Sequence, residues 1–171
     1  MQRLIPVLDK VVLVALFVFV AFSTFSISIT QIAGGLGGIA WLWRTHLTDS
    51  WGDQRRPLLL PFGLYVLACL IAVANAYDVS YSFESLKKLL EILIFFWVIN
   101  CVRENRLRDS LFLVLIIATT ISGLLGLYQG WRDGVSIDAR VEGTMSVYMT
   151  YAGLLMMVVL ATLARVVFRR P

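Results

Sequence analysis

The chain has 171 residues, of which 59% are hydrophobic and only 15% are charged. Soluble domains carry about 25% charged residues, so this composition excludes an ordinary soluble domain and indicates an integral membrane protein. At roughly 20 residues per crossing, the length accommodates at most about seven membrane-spanning helices and leaves no room for a second domain. We therefore expect residues 1–171 to form a single transmembrane domain. The net charge of +4 bears on the orientation of its loops, and we expect no nucleic-acid partner.

Apolar runs separated by polar segments predict six spans, which together form an all-α, polytopic transmembrane helical bundle. The predicted spans are residues 11–22, 27–43, 57–74, 83–102, 111–128 and 146–168. Serines and threonines at residues 23–30 predict a tight turn between the first two spans. The triplet Ala21-Phe22-Ser23 is also typical of a signal peptidase site. Because a second apolar segment follows at once, we favour an uncleaved first span over a cleaved signal peptide.

Glycines predict close helix packing in two of the spans. Gly34 and Gly38 lie four residues apart on one face of the second span, where a missing side chain lets another helix approach closely. Gly123 and Gly126 are the corresponding packing positions in the fifth span. The glycine run at residues 34–38 is an alternative phosphate cradle. It lacks the lysine and the serine or threonine of a P-loop, so we favour packing.

Charged residues crowd the first turns of the fourth span. Glu84 and Lys88 are four residues apart, as are Lys87 and Glu91, so two complementary pairs can form on neighbouring faces of a helix. In one interpretation the lysines extend to the membrane interface. In the other, Lys87 or Lys88 turns inward toward an anionic substrate, since ionisable groups at membrane depth usually face the bundle or a water-filled cavity.

The distribution of basic residues predicts that both termini lie in the cytoplasm. This orientation places eleven of the fifteen lysines and arginines inside: Arg3, Lys10, Arg44, Arg55, Arg56, Arg103, Arg106, Arg108, Arg165, Arg169 and Arg170. The other four, which are Lys87, Lys88, Arg132 and Arg140, fall on the exoplasmic side together with the 131–145 segment.

The polar stretch from Trp131 to Gly153 is the strongest candidate for a site. It carries both signs of charge and leads directly into a long apolar run. Arg140 stands three residues before Gly143, so a permanent cation precedes a position where the backbone can bend tightly, which suits an anionic ligand. The alternative is a solvated loop arginine paired with a neighbouring acid, Asp138 or Glu142, which would contribute little.

No metal site is predicted. Cys69 and Cys101 lie within or at the end of apolar runs, without metal-ligand spacing to another cysteine or histidine. His46 is the only histidine and lies in a basic segment without a second imidazole. We therefore expect no metal and no cofactor.

Three segments resemble the N-terminal half of the O-antigen ligase family: FSISITQIAGGLGG, YSFESLKKLLEILIFF and GLYQG...DARVEGTMSVYMTYAGLL. The sharpest feature is the R-x-x-G-T string at Arg140, Gly143 and Thr144. The resemblance covers essentially the whole chain, and O-antigen polymerases belong to the same superfamily. It implies a multi-pass protein of the bacterial inner membrane that transfers a glycan, in the periplasm, from an undecaprenyl diphosphate carrier onto a lipid A-core acceptor.

The resemblance also implies which residues bind substrate. The family's arginine at the R-x-x-G position is associated with the diphosphate-sugar site, which assigns Arg140, with Gly143, to the carrier diphosphate. Lys87 or Lys88 would join them if the fourth span packs near the sixth. No catalytic residue is assigned in this chain, because the family's acceptor-activating histidine lies in a later periplasmic loop and His46 is predicted to be cytoplasmic.

Family members have roughly twice as many spans as this chain. We therefore expect an N-terminal portion of a larger glycosyltransferase that is inactive alone, so whether the chain is itself an enzyme stays open. One alternative is a fragment of an O-antigen polymerase. The other is a non-enzymatic membrane module, either a small transporter-like bundle or a scaffold, which the glycine faces and paired charges suit equally well.

Overall fold

The structure is a computed structural model that describes residues 4–75, 89–133 and 148–168. These residues form six α-helices and no β-strand, so the all-α prediction is confirmed for the described part of the chain. The helices are α1 (Ile5–Phe22), α2 (Ile27–Leu47), α3 (Leu59–Ala74), α4 (Leu90–Cys101), α5 (Asn105–Asp133) and α6 (Tyr148–Phe168). Each helix overlaps one predicted span.

Three of the helices, α1, α5 and α6, are long and apolar enough to cross a membrane. Helices α3 and α4 are apolar but shorter, with 16 and 12 residues. Helix α2 has 21 residues, but its sequence includes Gln31, Arg44 and His46. The apolar helices indicate membrane association, and the count of six spans stays a prediction.

Helix α5 is longer than its predicted span at both ends. It includes Arg106 and Arg108, which were expected in a connection, and Trp131 and Arg132, which were expected in a loop. The predicted boundaries were wrong because they followed hydropathy, whereas a helix continues through charged residues until a cap or breaker stops it. Arginine is a good helix former, and no proline interrupts residues 105–133.

Helix α3 begins at Leu59, two residues after the predicted start at Pro57. Leu58 has a φ of 60°, in the left-handed region, so the chain does not take up helical geometry until the next residue. None of the residues of α3 is buried, although its sequence is almost wholly apolar. Such a helix needs an apolar environment that the described chain does not provide, which is consistent with lipid around it.

The chain divides into two compact units, residues 1–14 with 34–103 and residues 15–33 with 104–171. In the first unit, α2 packs closely against α4. Trp97 is fully buried, and its indole lies so close to Gly37 that a Cβ there would overlap the ring. A Cβ on Gly38 would come within 3.2 Å of Leu93. The predicted glycine packing face is therefore confirmed for Gly38, with its closest approach at Gly37.

Aromatic rings join α3 to α4 in the same unit. The ring of Phe62 packs edge-on against Phe95 at 5.2 Å and against Phe96 at 5.8 Å, measured between ring centroids. Arg44 on α2 forms an ion pair with Asp9 on α1. These contacts tie the parts of α1 and α2 that lie in this unit to each other and to α3 and α4.

In the second unit, α5 packs against α6. Asp109 near the start of α5 pairs with Arg165 near the end of α6, and Ser122 further along α5 contacts Tyr151 near the start of α6. The two helices are therefore antiparallel. The tight turn predicted from the polar residues 23–30 is present at residues 23–26, where the N–H groups of Phe25 and Ser26 both donate to the carbonyl of Phe22 at 3.0 Å, and α2 begins directly after it at Ile27.

Candidate functional site

An apolar groove of about 710 Å³ runs along α5 and α6 in the second unit. It is lined by Thr120, Gly123, Leu124, Gly126, Leu127, Gly130, Trp131, Tyr151 and Leu155. Its volume is in the range of ligand pockets, roughly 300 to 1,000 Å³. None of these lining residues is charged, and the Thr120 hydroxyl donates to the carbonyl of Ile116 in its own helix at 2.8 Å. The groove is suited to an apolar ligand.

Small residues give the groove its shape. Among its lining residues, Gly123, Gly126 and Gly130 carry no side chain, so at these positions only the backbone of α5 lines the groove. A Cβ on Gly126 would lie 2.6 Å from the Tyr151 hydroxyl oxygen, whereas one on Gly123 would meet nothing within 4 Å. Gly126 is therefore required for helix packing, and Gly123 leaves open space in the groove.

Tyr151 fixes one wall of the groove. It is buried, and its hydroxyl donates a hydrogen bond of 2.6 Å to the main-chain carbonyl of Ser122. This buried bond joins α6 to α5 beside the groove. The tyrosine proton is engaged in a structural contact, which leaves the ring face to line the groove.

The other end of the α5–α6 pair is polar. Arg165 lies 2.7 Å from the Asp109 carboxylate, and its guanidinium carbon lies 4.8 Å from the centre of the Phe112 ring. Arg108, Asp109, Arg165 and Phe168 line a depression of about 320 Å³ there. The ion pair is partly exposed, with side-chain exposures of 29% for Arg165 and 46% for Asp109, so we expect it to add little stability.

A second polar centre lies in the first unit, where a buried asparagine on α4 holds the loop between α2 and α3. The Asn100 side chain accepts from the N–H of Arg55 at 2.7 Å and donates to the carbonyl of Arg55 at 3.0 Å. Arg103 donates to the carbonyl of Asp53 at 2.7 Å and to the side-chain oxygen of Asn100 at 3.1 Å. A loop without helix or strand is thereby fixed in one position.

Sequence reasoning missed the Asn100 centre. The available signal was an amide in the otherwise apolar run FFWVINC, since a buried amide must find hydrogen-bond partners. Its partner Arg55 is 45 residues away, and nothing in the local pattern identifies it. The hydropathy pattern predicts residues 44–56 only as a polar connection between the second and third spans.

All four predicted substrate-binding residues lie outside the described residues: Lys87, Lys88, Arg140 and Gly143. The predicted pairing of Glu84 with Lys88 and of Lys87 with Glu91 also depends on residues outside them. These assignments stay predictions. Helices α5 and α6, which flank residues 134–147 in the chain, are described. The groove lies on the end of α5 and the start of α6, the parts nearest to residues 134–147 in the sequence.

Comparison with protein-family models, with curated proteins and with solved structures gives no match for this chain.

Proposed function

We propose that this chain binds a polyprenyl diphosphate-linked glycan as part of a membrane glycosyltransferase of the O-antigen ligase type. The observation that carries the proposal is the apolar groove on α5 and α6, next in the chain to the segment with Arg140. The carrier has a long hydrocarbon tail joined to a diphosphate. A site for it requires an apolar channel beside a group that binds phosphate.

The groove supports the apolar half of this requirement. Its lining offers hydrocarbon and aromatic surface from Leu124, Leu127 and Leu155 together with Trp131. The glycines in its lining would let a chain of methyl-branched units lie directly against the backbone of α5. In a bilayer the tail is already out of water, so its affinity for the groove would come from van der Waals packing against these side chains.

Arg140 supports the polar half. It stands seven residues after the end of α5 and eight before the start of α6 in the sequence. A guanidinium forms two parallel hydrogen bonds to phosphate oxygens and stays charged when partly desolvated. It would also stabilise negative charge that develops on a diphosphate leaving group. Lys87 and Lys88 are proposed as further cations of the same site.

The transfer reaction and its lipid A-core acceptor rest on the family resemblance. In this assignment the chain supplies binding and charge stabilisation, at a site facing the periplasm of a bacterial inner membrane. No residue in it is assigned as the base that activates the acceptor hydroxyl.

The proposal is tested by titrating undecaprenyl diphosphate into the purified chain in lipid nanodiscs and measuring the dissociation constant. Gly123→Leu fills the groove, and Gly35→Leu is its matched control, because both glycines lie in helices with nothing within 4 Å of an added Cβ. We expect about a tenfold weaker affinity for the Gly123 variant, since a leucine side chain occupies the space in which the tail would pack. We expect no change for the Gly35 variant.

Arg140→Lys tests the diphosphate contact in the same titration. Losing the two-bond geometry should cost about 1.5 to 3 kcal/mol per charge-assisted bond, or a factor of ten or more in affinity. Arg106→Lys, near the start of α5, is the control and should bind normally. Failure of the wild-type chain to bind the carrier would refute the proposal and favour a non-enzymatic membrane module. Normal binding by both the Gly123 and the Arg140 variants would also refute it.

A further inference from the structure

We propose that the α2–α3 loop, residues 48–58, together with Arg103 forms a binding site for the headgroup of an anionic phospholipid. The site lies in the first unit and involves none of the residues assigned to the glycan carrier. It rests on three features of the described residues, which are the fixed position of the loop, its uncommitted guanidinium groups and its exposed apolar border.

The loop is held in place before any ligand arrives. Asn100 binds both the N–H and the carbonyl of Arg55, and Arg103 binds the carbonyl of Asp53. Within the loop, Arg56 donates to the carbonyl of Trp51 at 2.6 Å, and Gln54 donates to the carbonyl of Ser50 at 3.0 Å. A loop whose backbone is ordered in advance loses less conformational entropy when a ligand binds, so it binds more tightly than a mobile loop with the same charges.

Three guanidinium groups of this site have donors left for an anion. Among the described residues, the Arg55 side chain has no hydrogen bond or ion pair. Within the described part of the chain, Arg56 and Arg103 each donate only through the Nη2 nitrogen, to main-chain and amide oxygens. A guanidinium has five N–H donors, so Nη1 and Nε of both arginines stay available. Phosphodiester oxygens, which every anionic phospholipid carries, are the acceptors that this geometry matches.

The acids of the loop do not cancel this charge. Asp49 and Asp53 precede the arginines in the sequence and are both exposed. Counting Arg55, Arg56 and Arg103 against them leaves a net charge of +1. So small an excess does not attract anions by charge alone, and binding must depend on where the guanidinium groups are held.

The apolar border decides between a lipid and a soluble anion. After Arg55, Arg56 and the intervening proline come the exposed side chains of Leu58, Leu59 and Leu60, the last two in the first turn of the apolar helix α3. Trp51 in the same loop is also exposed. Arginine and tryptophan beside the end of an apolar helix are typical of the headgroup level of a bilayer. A phospholipid offers both a phosphate for the arginines and acyl chains for the leucines.

The test adds either phosphatidylglycerol or phosphatidylcholine to the purified full chain in detergent. Two quantities are measured for each lipid: the thermal midpoint of unfolding, and the amount of lipid that the chain retains in native mass spectrometry. Arg55→Gln with Arg56→Gln removes two cations from the site. Arg106→Gln with Arg108→Gln is the matched control, because it removes two cations of the same type from the start of α5. Because the first pair loses the charge-assisted hydrogen bonds that two guanidinium groups can donate to the phosphodiester, it should raise the phosphatidylglycerol concentration for half-maximal stabilisation by roughly tenfold or more.

Asn100→Leu tests whether the position of the guanidinium groups matters in addition to their charge. It keeps every arginine but removes the hydrogen bonds that hold the loop. We expect it to lose the phosphatidylglycerol-dependent increment in the thermal midpoint, whatever its own midpoint is. The proposal is supported if the Arg55/Arg56 pair loses the effect and the control pair keeps it. An equal loss in both pairs, no effect of phosphatidylglycerol on the wild-type chain, or full stabilisation by inorganic phosphate without lipid would each overturn it.

Discussion

The hydroxyl of Tyr151 on α6 donates to the main-chain carbonyl of Ser122 on α5 across 2.6 Å, and the contact is buried. A Cβ on Gly126, one turn after Ser122, would lie 2.6 Å from that hydroxyl oxygen. The glycine is what allows the tyrosine to reach the backbone of the neighbouring helix. The groove next to it therefore depends on a tyrosine and a glycine together.

We expect Tyr151→Phe to lower the free energy of unfolding by about 1 kcal/mol, because one buried interhelical hydrogen bond is lost while the ring stays packed. Tyr128→Phe is the control, since Tyr128 is exposed and should change stability by less than about 0.5 kcal/mol. Denaturant titration in mixed micelles measures both. An equal effect of the two substitutions would show that the Ser122 contact does not contribute.

Two glycines of α2 should respond to alanine with opposite signs. Gly37→Ala places a methyl group into the Trp97 indole, and such overpacking costs about 1 to 3 kcal/mol. Gly35→Ala meets nothing within 4 Å and should stabilise the helix by about 0.5 to 1 kcal/mol, since alanine loses less backbone entropy than glycine. The two variants are compared by their unfolding midpoints in the same detergent. A higher midpoint for Gly37→Ala than for the wild-type chain would contradict the close approach of α2 to α4.

Asn100→Ala should cost about 2 to 4 kcal/mol, because the N–H and carbonyl groups of Arg55 both lose their partner in a partly buried place. Asn75→Ala is the control. Asn75 makes one exposed side-chain bond, to the carbonyl of Ile71, and its loss should cost less than about 1 kcal/mol. We expect limited proteolysis of the wild-type chain to spare the α2–α3 loop and proteolysis of the Asn100 variant to cleave within it. A loop that stays resistant in the variant would show that other contacts hold it.

Membrane orientation is tested by reporter fusions. We expect fusions at Asp53, Arg106 and the C-terminus to report cytoplasm, and fusions near Asp78 and Asp138 to report periplasm, because eleven of the fifteen basic residues would then lie inside. A periplasmic signal at Arg106 would overturn the whole arrangement, including the predicted side of Arg140.

Part of the fold could be predicted from sequence with simple physics. Apolar runs gave the helical class and the approximate position of every described helix, since hydropathy is a local property of the chain. The ends of α5 were misplaced by several residues, because charge alone does not stop a helix. The substrate residues Lys87, Lys88, Arg140 and Gly143 were assigned by resemblance and charge, and they stay predictions because they lie outside the described residues.

The amino-acid sequence by itself determined that this chain is helical, strongly apolar and suited to a membrane, since composition and periodicity are sums over neighbouring residues. It also indicated that the glycines of α2 and α5 are packing positions. Only the tertiary structure decided which glycines are needed for close helix packing, because this depends on what faces each glycine across a helix interface. Gly37 and Gly126 are needed, and Gly35 and Gly123 are not. The pairing of Asn100 with Arg55 was likewise decided there. A contact between residues 45 positions apart depends on how the helices pack, which no local pattern encodes.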